Sequence, residues 1–329
     1  MANLSTSYMG FNLKNPIIVG SSGLTNSVEN IIEVEKNGAA AVVLKSLFEE
    51  QISHMINKSM QNSELGNYYY PEAEDYISNY TKYNDVDNYL KLIRDAKEAV
   101  QIPVMASVNC VSSAEWISFA SKIQDAGADG LELNVFVLPS DPKKDAAQNE
   151  VIYFDIIEKV KKQLTIPVAI KISSYFSGLA NMALKLSWTD INGMVLFNRF
   201  FSPDIDIDNF KVTATNVFSH PEELAMSLRW VAMLSSRLQC DIAASTGVHD
   251  GAAVIKQLLA GAKAVQISSV LYKNGFEQIG IMLKDLEAWM EKHNFNSIAD
   301  FNGKMSIKEV DNPAAYERVQ FMKHFAGIE

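Results

Sequence analysis

The stretch AGADGLELN (126–134) decides how the rest of the chain is read. Gly127 falls where a helix would end in a left-handed residue, and the apolar run behind it has the character of a buried parallel strand. Three other stretches repeat the pattern: NGAAAVVLK (37–45), INGMVLFN (191–198) and AGAKAVQIS (260–268), each with Gly or Asn at the expected helix end. Four more apolar runs fill the gaps, PIIVGSS (16–22), IPVMASVN (102–109), IPVAIKIS (166–173) and CDIAAST (240–246), which makes eight strands. Segments with helical periodicity lie between and after them, near 26–37, 85–99, 113–126, 148–163, 178–190, 221–238, 250–261 and 275–292. Strict alternation of this kind predicts an α/β fold, a (β/α)₈ barrel forming a single domain over residues 1–329. An open dinucleotide-binding sheet fits less well, because GSSG (20–23) has the wrong spacing for its glycine fingerprint.

Two segments stand outside the repeat. LSTSYMGFNLKNP, before the first strand, alternates around Gly10 and predicts a small hairpin plugging the barrel floor. Residues 46–84, between the second strand and its helix, are too long for an ordinary connection. They carry an amphipathic piece (Leu47, Phe48, Ile52, Met55, Ile56, Met60) and the aromatic and acidic run NYYYPEAEDYISNYTKY. The expectation is a lid or binding wall, with a dimerisation arm or a spacer as the plainer alternative.

Of the 329 residues 48% are hydrophobic, enough for a substantial core, and the formal net charge is −10. Without a cluster of Lys and Arg, a nucleic-acid partner is not expected. Cys110 and Cys240 provide neither a disulfide framework nor the four thiolates of an iron–sulfur cluster, which suits a reducing cytoplasm. The N-terminal residues lack the pattern of a secretory signal, and no apolar run reaches the roughly 18–20 residues of a membrane helix, so a cytoplasmic protein without a membrane partner is expected.

A barrel of this type carries its chemistry at the C-terminal ends of its strands. The polar residues there are Ser21, Ser22, Lys45, Ser46, Ser107, Asn109, Asn134, Lys171, Asn198, Ser245, Thr246, Ser268 and Ser269. A lysine ending an apolar strand needs an anion or several acceptors. Lys45 and Lys171 therefore suggest an electron-rich ligand in the barrel mouth, or else pairing with an internal carboxylate such as Glu132. ASTGVHDG (244–251) and ISSVLYKNG (267–275) follow the seventh and eighth strands, the usual phosphate position in barrels. His249 reads as an ordinary polar residue near a helix start. His54, His220, His249, His293 and His324 show no metal spacing, and Asp204, Asp206 and Asp208 lack the Gly and Glu of a calcium loop.

This constellation resembles the dihydroorotate dehydrogenase family, FMN-dependent (β/α)₈ enzymes, and more closely its soluble class 1 members. The likeness covers nearly the whole chain and rests on NPIIVGSSG (15–23), VLKS (43–46), LELN (131–134), PVAIKIS (167–173), the two phosphate loops and SIADFNGK (297–304). It implies oxidation of dihydroorotate to orotate in pyrimidine biosynthesis, with FMN across the barrel mouth and a homodimer as a possible assembly. It assigns Ser21, Ser22, Lys45, Ser46, Asn109, Asn134 and Lys171 to the flavin, and Thr246, Gly247, Ser268 and Ser269 to its phosphate. Lys45, Asn134 and Asn198 would face a small, pyrimidine-like substrate. The family's catalytic base, Cys or Ser, stands three residues after that Asn, and here the position is Val137, which cannot accept a proton. Pro139 replaces a further family Asn, and no catalytic residue is assigned, Ser140 being the nearest candidate. The family's Asn-Ser-Met-Gly-Leu pattern is not visible in 46–84, and FKVTATNVFSH (210–220) replaces a Gly-rich stretch. The reading is thus an FMN-dependent oxidoreductase; the alternatives are one with a different substrate, an FMN-binding pseudoenzyme, or a phosphate-binding lyase using Lys45 or Lys171 in Schiff-base chemistry.

Overall fold

A computed structural model describes residues 2–49, 86–110, 117–199 and 202–317. Eight parallel positions close into a barrel: β3 (Ile17–Val19), β4 (Ala41–Val43) continued by β5 (Leu47–Phe48), β6 (Val104–Cys110), β7 (Gly130–Val135), β8 (Val168–Ile172), β9 (Gly193–Leu196), β12 (Asp241–Ala244) and β13 (Ala264–Ile267). Closure comes from the pairings β13 with β3, β3 with β4, and β4 with β6. All eight expected strands are present, and helices follow them near the expected positions. These include α1 (Val28–Lys36), α2 (Val86–Ala99), α3 (Ile117–Asp125), α4 (Ala146–Lys161), α5 (Leu179–Ser187), α6 (Leu224–Leu234), α7 (Gly251–Ala260), the short α8 (Ser269–Asn274) and α9 (Gln278–Lys292).

The repeated helix-end signal works through backbone geometry. Gly38, Gly127 and Gly261 all have positive φ, but before β9 the left-handed residue is Asp190, not Asn192. Asn192 instead ties neighbouring strand ends, its Oδ1 accepting from the Val168 N–H at 3.0 Å.

Alternation along the strands sets what fills the barrel. Ile18, Ala41, Val43, Met105, Ala169, Val195, Ala243 and Ala264 form one interior cluster, joined from below by Tyr8, Met9 and Leu13. Those last three belong to the hairpin of β1 (Thr6–Tyr8) and β2 (Phe11–Leu13), the expected floor plug. The Met9 N–H donates to Asp241 Oδ2 at 2.9 Å, and Thr6 Oγ1 donates to the Lys263 carbonyl at 2.9 Å, anchoring the hairpin under β12 and β13. Gly193 makes room for the plug, since a Cβ there would lie 2.8 Å from both Met9 Cγ and Tyr8 Oη.

A second hairpin, β10 (Pro203–Asp206) with β11 (Lys211–Ala214), rises after β9, so DIDID and FKVTA form an antiparallel ribbon there. Most of the 46–84 segment lies outside the described residues, including the aromatic and acidic run and the amphipathic positions from Ile52 onward. Among the described residues no helix is long and apolar enough to cross a membrane.

Gly193→Ala should overpack the floor and destabilise the chain by about 1–3 kcal/mol. Urea unfolding checks this; a variant as stable as the parent would show that the plug contributes little.

Candidate functional site

The strand parity that fills the floor with alanine and valine brings polar side chains inward one and two steps higher. Glu132, Gln266 and Lys171 point into the barrel above the apolar layers, and all three are buried. Gln266 Nε2 donates to Glu132 Oε2, Lys171 Nζ donates to Gln266 Oε1 at 2.9 Å, and the ammonium lies 3.6 Å from Glu132 Oε1. The internal-carboxylate alternative for Lys171 is therefore the arrangement found, with Gln266, which carries no signal in the sequence, as the bridge. Such a group costs several kcal/mol of desolvation per ion unless paired, which explains why three strands contribute to it. Lysine is not thereby turned away from a ligand, because Lys171 also lines the cavity above.

A second network crosses β3 to β7 at the same height. Ser46 Oγ lies 3.0 Å from Ser21 Oγ and 2.8 Å from Ser107 Oγ. Asn134 Nδ2 donates to Ser46 Oγ at 2.9 Å and to Ser107 Oγ at 3.1 Å. Beneath, the Tyr89 hydroxyl donates to the Ser107 carbonyl at 3.0 Å and accepts from the Ser107 N–H at 2.8 Å. Burial pushes that phenol well above its ordinary range. Asn134 spends its amide hydrogens on this network, which leaves Oδ1 buried without a partner. A buried acceptor of this kind costs about 1–3 kcal/mol unless a ligand N–H satisfies it.

The cavity at the mouth has a volume of about 200 Å³ and is walled by the ends of β3, β8, β9, β12 and β13. Of the expected residues, Ser21, Lys171, Asn198, Thr246, Gly247, Ser268 and Ser269 line it. Ser46 and Asn134 join through Ser21, while Asn109 lies opposite Asn134 in register and half-buried Lys45 precedes Ser46. Ser22 is turned to local work, its Oγ accepting from the Leu24 N–H at 3.3 Å.

Thr246 and Gly247 both have positive φ, and a Cβ on Gly247 would lie 2.1 Å from the Leu224 nitrogen. Only glycine fits this approach. Ser268 Oγ is buried without a partner. That orphan hydroxyl, with Ser245, Thr246 and Ser269 around it, fits a phosphate group; Lys171 and the Asn134 acceptor fit the polar edge of a flavin. Arg199 and Ser219, also unforeseen, complete the wall. Arg199 directly follows Asn198, a position that strand-end reasoning could have reached; Ser219 arrives from a distant loop, and nothing local announces it.

Ser219 is clasped from several sides. Its N–H donates to Ser269 Oγ at 3.0 Å, its carbonyl accepts from Lys273 Nζ at 3.0 Å, and its Oγ lies 3.0 Å from His249 Nε2. Burial, then the Lys273 charge, lowers the His249 pKa below its ordinary 6.5, with His220 adding to this and Asp250 and the Ser219 bond opposing. His249 is therefore a neutral fastener for the 215–220 loop.

Val137 does not line the mouth cavity. It borders a separate recess of about 180 Å³ with Pro139, Tyr153, Tyr175 and Phe176. Its N–H donates to the Tyr153 hydroxyl at 3.3 Å. Burial is the main cause pushing that phenol up to about 12, so Tyr153 stays protonated at neutral pH and does not replace the base. Ser140 is exposed on the loop beyond, its N–H donating to the Leu138 carbonyl at 2.8 Å, and it lines none of these cavities. Among the described residues no three His, Cys, Asp or Glu side chains converge as a metal site.

A family model described as "Dihydroorotate dehydrogenase" matches residues 3–290. The catalytic subunit of dihydroorotate dehydrogenase B (NAD(+)) from Thermoplasma acidophilum is 29% identical over 316 residues, covering 92% of this chain and 99% of that protein. Its counterpart from Pyrococcus furiosus is 24% identical over 302 residues, 89% of this chain and 96% of that one. Dihydroorotate dehydrogenase A (fumarate) of Lactococcus lactis is 25% identical over 321 residues, 92% of this chain and 99% of that protein.

Two outcomes follow. Glu132→Gln should destabilise the chain by about 3–5 kcal/mol by stranding the Lys171 ammonium, and adding Lys171→Met should recover much of the loss. Denaturant unfolding of the single and double variants reads this directly. For His249, a depressed folded pKa means that its contribution is complete above pH 6.5 and lost as pH falls below it. His249→Gln should flatten the fall in stability as pH drops below 6.5, as followed by urea unfolding; an unchanged slope contradicts the assignment.

Proposed function

The chain belongs to the dihydroorotate dehydrogenase family, and we propose that it is a flavoprotein oxidoreductase that holds FMN across the barrel mouth and acts on a small ring substrate. The observation that carries this is the unpartnered, buried Ser268 Oγ in the phosphate loops of the mouth cavity, which the Lys171 side chain also lines, together with the unpartnered Asn134 Oδ1 that joins this cavity through Ser46 and Ser21.

When bound, FMN supplies a two-electron acceptor for hydride. The residues of this chain do the rest. Thr246, Gly247, Ser268 and Ser269 would hold the phosphate, where hydroxyls and close backbone approach replace its water shell. Lys171 would face the pyrimidine edge of the ring and offset negative charge there, with Glu132 and Gln266 fixing its position. Lys45, Asn134 and Asn198 would orient the substrate, and Ser21, Ser46 and Ser107 hold Asn134 in place. Lys171 is committed to a carboxylate and an amide, so it is a poor Schiff-base nucleophile, which disfavours the lyase alternative.

Proton removal is where this chain departs from the family pattern that the resemblance implies. Val137 accepts no proton, Tyr153 is held protonated and Ser140 is outside the cavity. Loss of a positioned base lowers a proton-abstraction rate by ~10²–10⁴-fold. The chain is therefore a slow dihydroorotate oxidase at best, and its own substrate is one whose oxidation needs no base on the loop after β7. The relatives' names divide between NAD(+) and fumarate as acceptors. Under the same proposal the chain is one (β/α)₈ domain that acts in the cytoplasm as a homodimer.

The test is an absorption spectrum of the purified chain, followed anaerobically after dihydroorotate is added. Flavin bands should be present and should bleach slowly, at the ~10²–10⁴-fold reduced rate expected of a site without a positioned base. Rapid bleaching in the parent would show that another group serves as the base. No flavin after reconstitution with FMN would remove the proposal.

A further inference from the structure

Beside the mouth cavity lies a second recess of about 360 Å³, within the ~300–1,000 Å³ range usual for small-molecule sites. The two share Asn198, Arg199 and Thr246 as a common wall. Tyr175, Phe197, Pro203 and Met226 give the second recess a largely apolar lining, and Arg199 is its one cation among the described residues.

Arg199 is held in place by two bonds. Its Nε donates to Glu223 Oε2 at 2.9 Å, and Nη1 donates to the Val217 carbonyl at 3.0 Å. The other Glu223 oxygen accepts the His220 N–H at 2.7 Å. Burial alone would raise the Glu223 carboxyl, but the Arg199 and His220 bonds carry it below its ordinary value, so the brace persists at neutral pH. A guanidinium has five N–H groups, and these two bonds use two of them. The remaining donors, including both on Nη2, have no bond among the described residues. Because Glu223 balances the charge, an anion is not drawn in by net field; it is recognised by the free edge of a fixed, planar fork. Carboxylates suit that edge, since they accept two parallel charge-assisted bonds where an amide accepts one.

We propose that the recess beside Arg199 is a subsite for an organic carboxylate with an apolar body the size of one ring. Building on the oxidoreductase reading above, it would receive an arm of the substrate that dihydroorotate does not have. Tyr175, Phe197 and Met226 would cover the apolar body, and the carboxylate would meet Arg199 at the shared wall, leaving Asn198 and Thr246 facing the mouth.

The experiment is calorimetric titration of the full chain with 3-phenylpropanoate and with the uncharged 3-phenylpropanamide. The carboxylate should bind about ten-fold more tightly than the amide, the size of one good charge-assisted contact. Arg199→Gln should abolish the difference, and Met226→Trp, which fills the recess from a half-exposed position on α6, should weaken both ligands. Equal affinities in the parent, or discrimination that survives Arg199→Gln, would overturn the proposal. If Arg199→Gln does not fold by circular dichroism, Met226→Trp decides: unchanged phenylpropanoate affinity also overturns it. Flavin absorbance on the same samples separates the two readings. A chain that takes no FMN yet shows Arg199-dependent carboxylate binding would sink the flavoprotein assignment and leave the subsite standing.

Discussion

The barrel mouth is organised around one buried ion pair, Lys171 with Glu132, bridged by Gln266. An ammonium and a carboxylate cannot be taken from water without close partners, so the strands that carry them must hold register across the barrel. β7 and β8 are adjacent, but Gln266 stands on β13, on the other side of the barrel, and its amide donates to one partner while accepting from the other. The cavity floor is consequently polar and rigid while the layers below it are alanine, valine and methionine. The same parity that sends Ala169 and Ala264 into the floor sends Lys171 and Gln266 upward into the site.

Much of this was legible in the sequence because the fold is a repeat. Gly38, Gly127 and Gly261 mark three helix ends through the same left-handed geometry, and each precedes a strand whose polar end lies at the mouth. The signal is weaker before β9, where an aspartate, Asp190, and not a glycine takes the left-handed position. Lys171 was identifiable as a charge needing offset, but its partner was not, since strand parity places Gln266 inward without saying what lies opposite. Ser219 and Arg199 were hidden for a different reason. Ser219 reaches the mouth only because the long excursion after β9 folds back to it, and that excursion has no period to read; Arg199 sits one residue past a strand end, but its bracing by the Val217 carbonyl depends on the same excursion.

The cavity and the loop after β7 have separate histories in chemical terms. The residues that could hold a flavin phosphate meet on one wall of the mouth cavity, whereas Val137 borders a separate recess with Tyr153 and donates its N–H to the Tyr153 hydroxyl. A change at position 137 therefore does not touch the residues that line the mouth cavity. Arg199 stands at the wall shared by the mouth cavity and the apolar recess beside it, next to Asn198 and Thr246.

The most direct test of this account is stoichiometry: titration of the flavin-free chain into FMN, followed by quenching of flavin fluorescence. One FMN per chain, with saturable quenching, is the predicted result. Quenching that never saturates, or none at all, would contradict the assignment of the Ser268, Gly247 and Lys171 wall to a flavin.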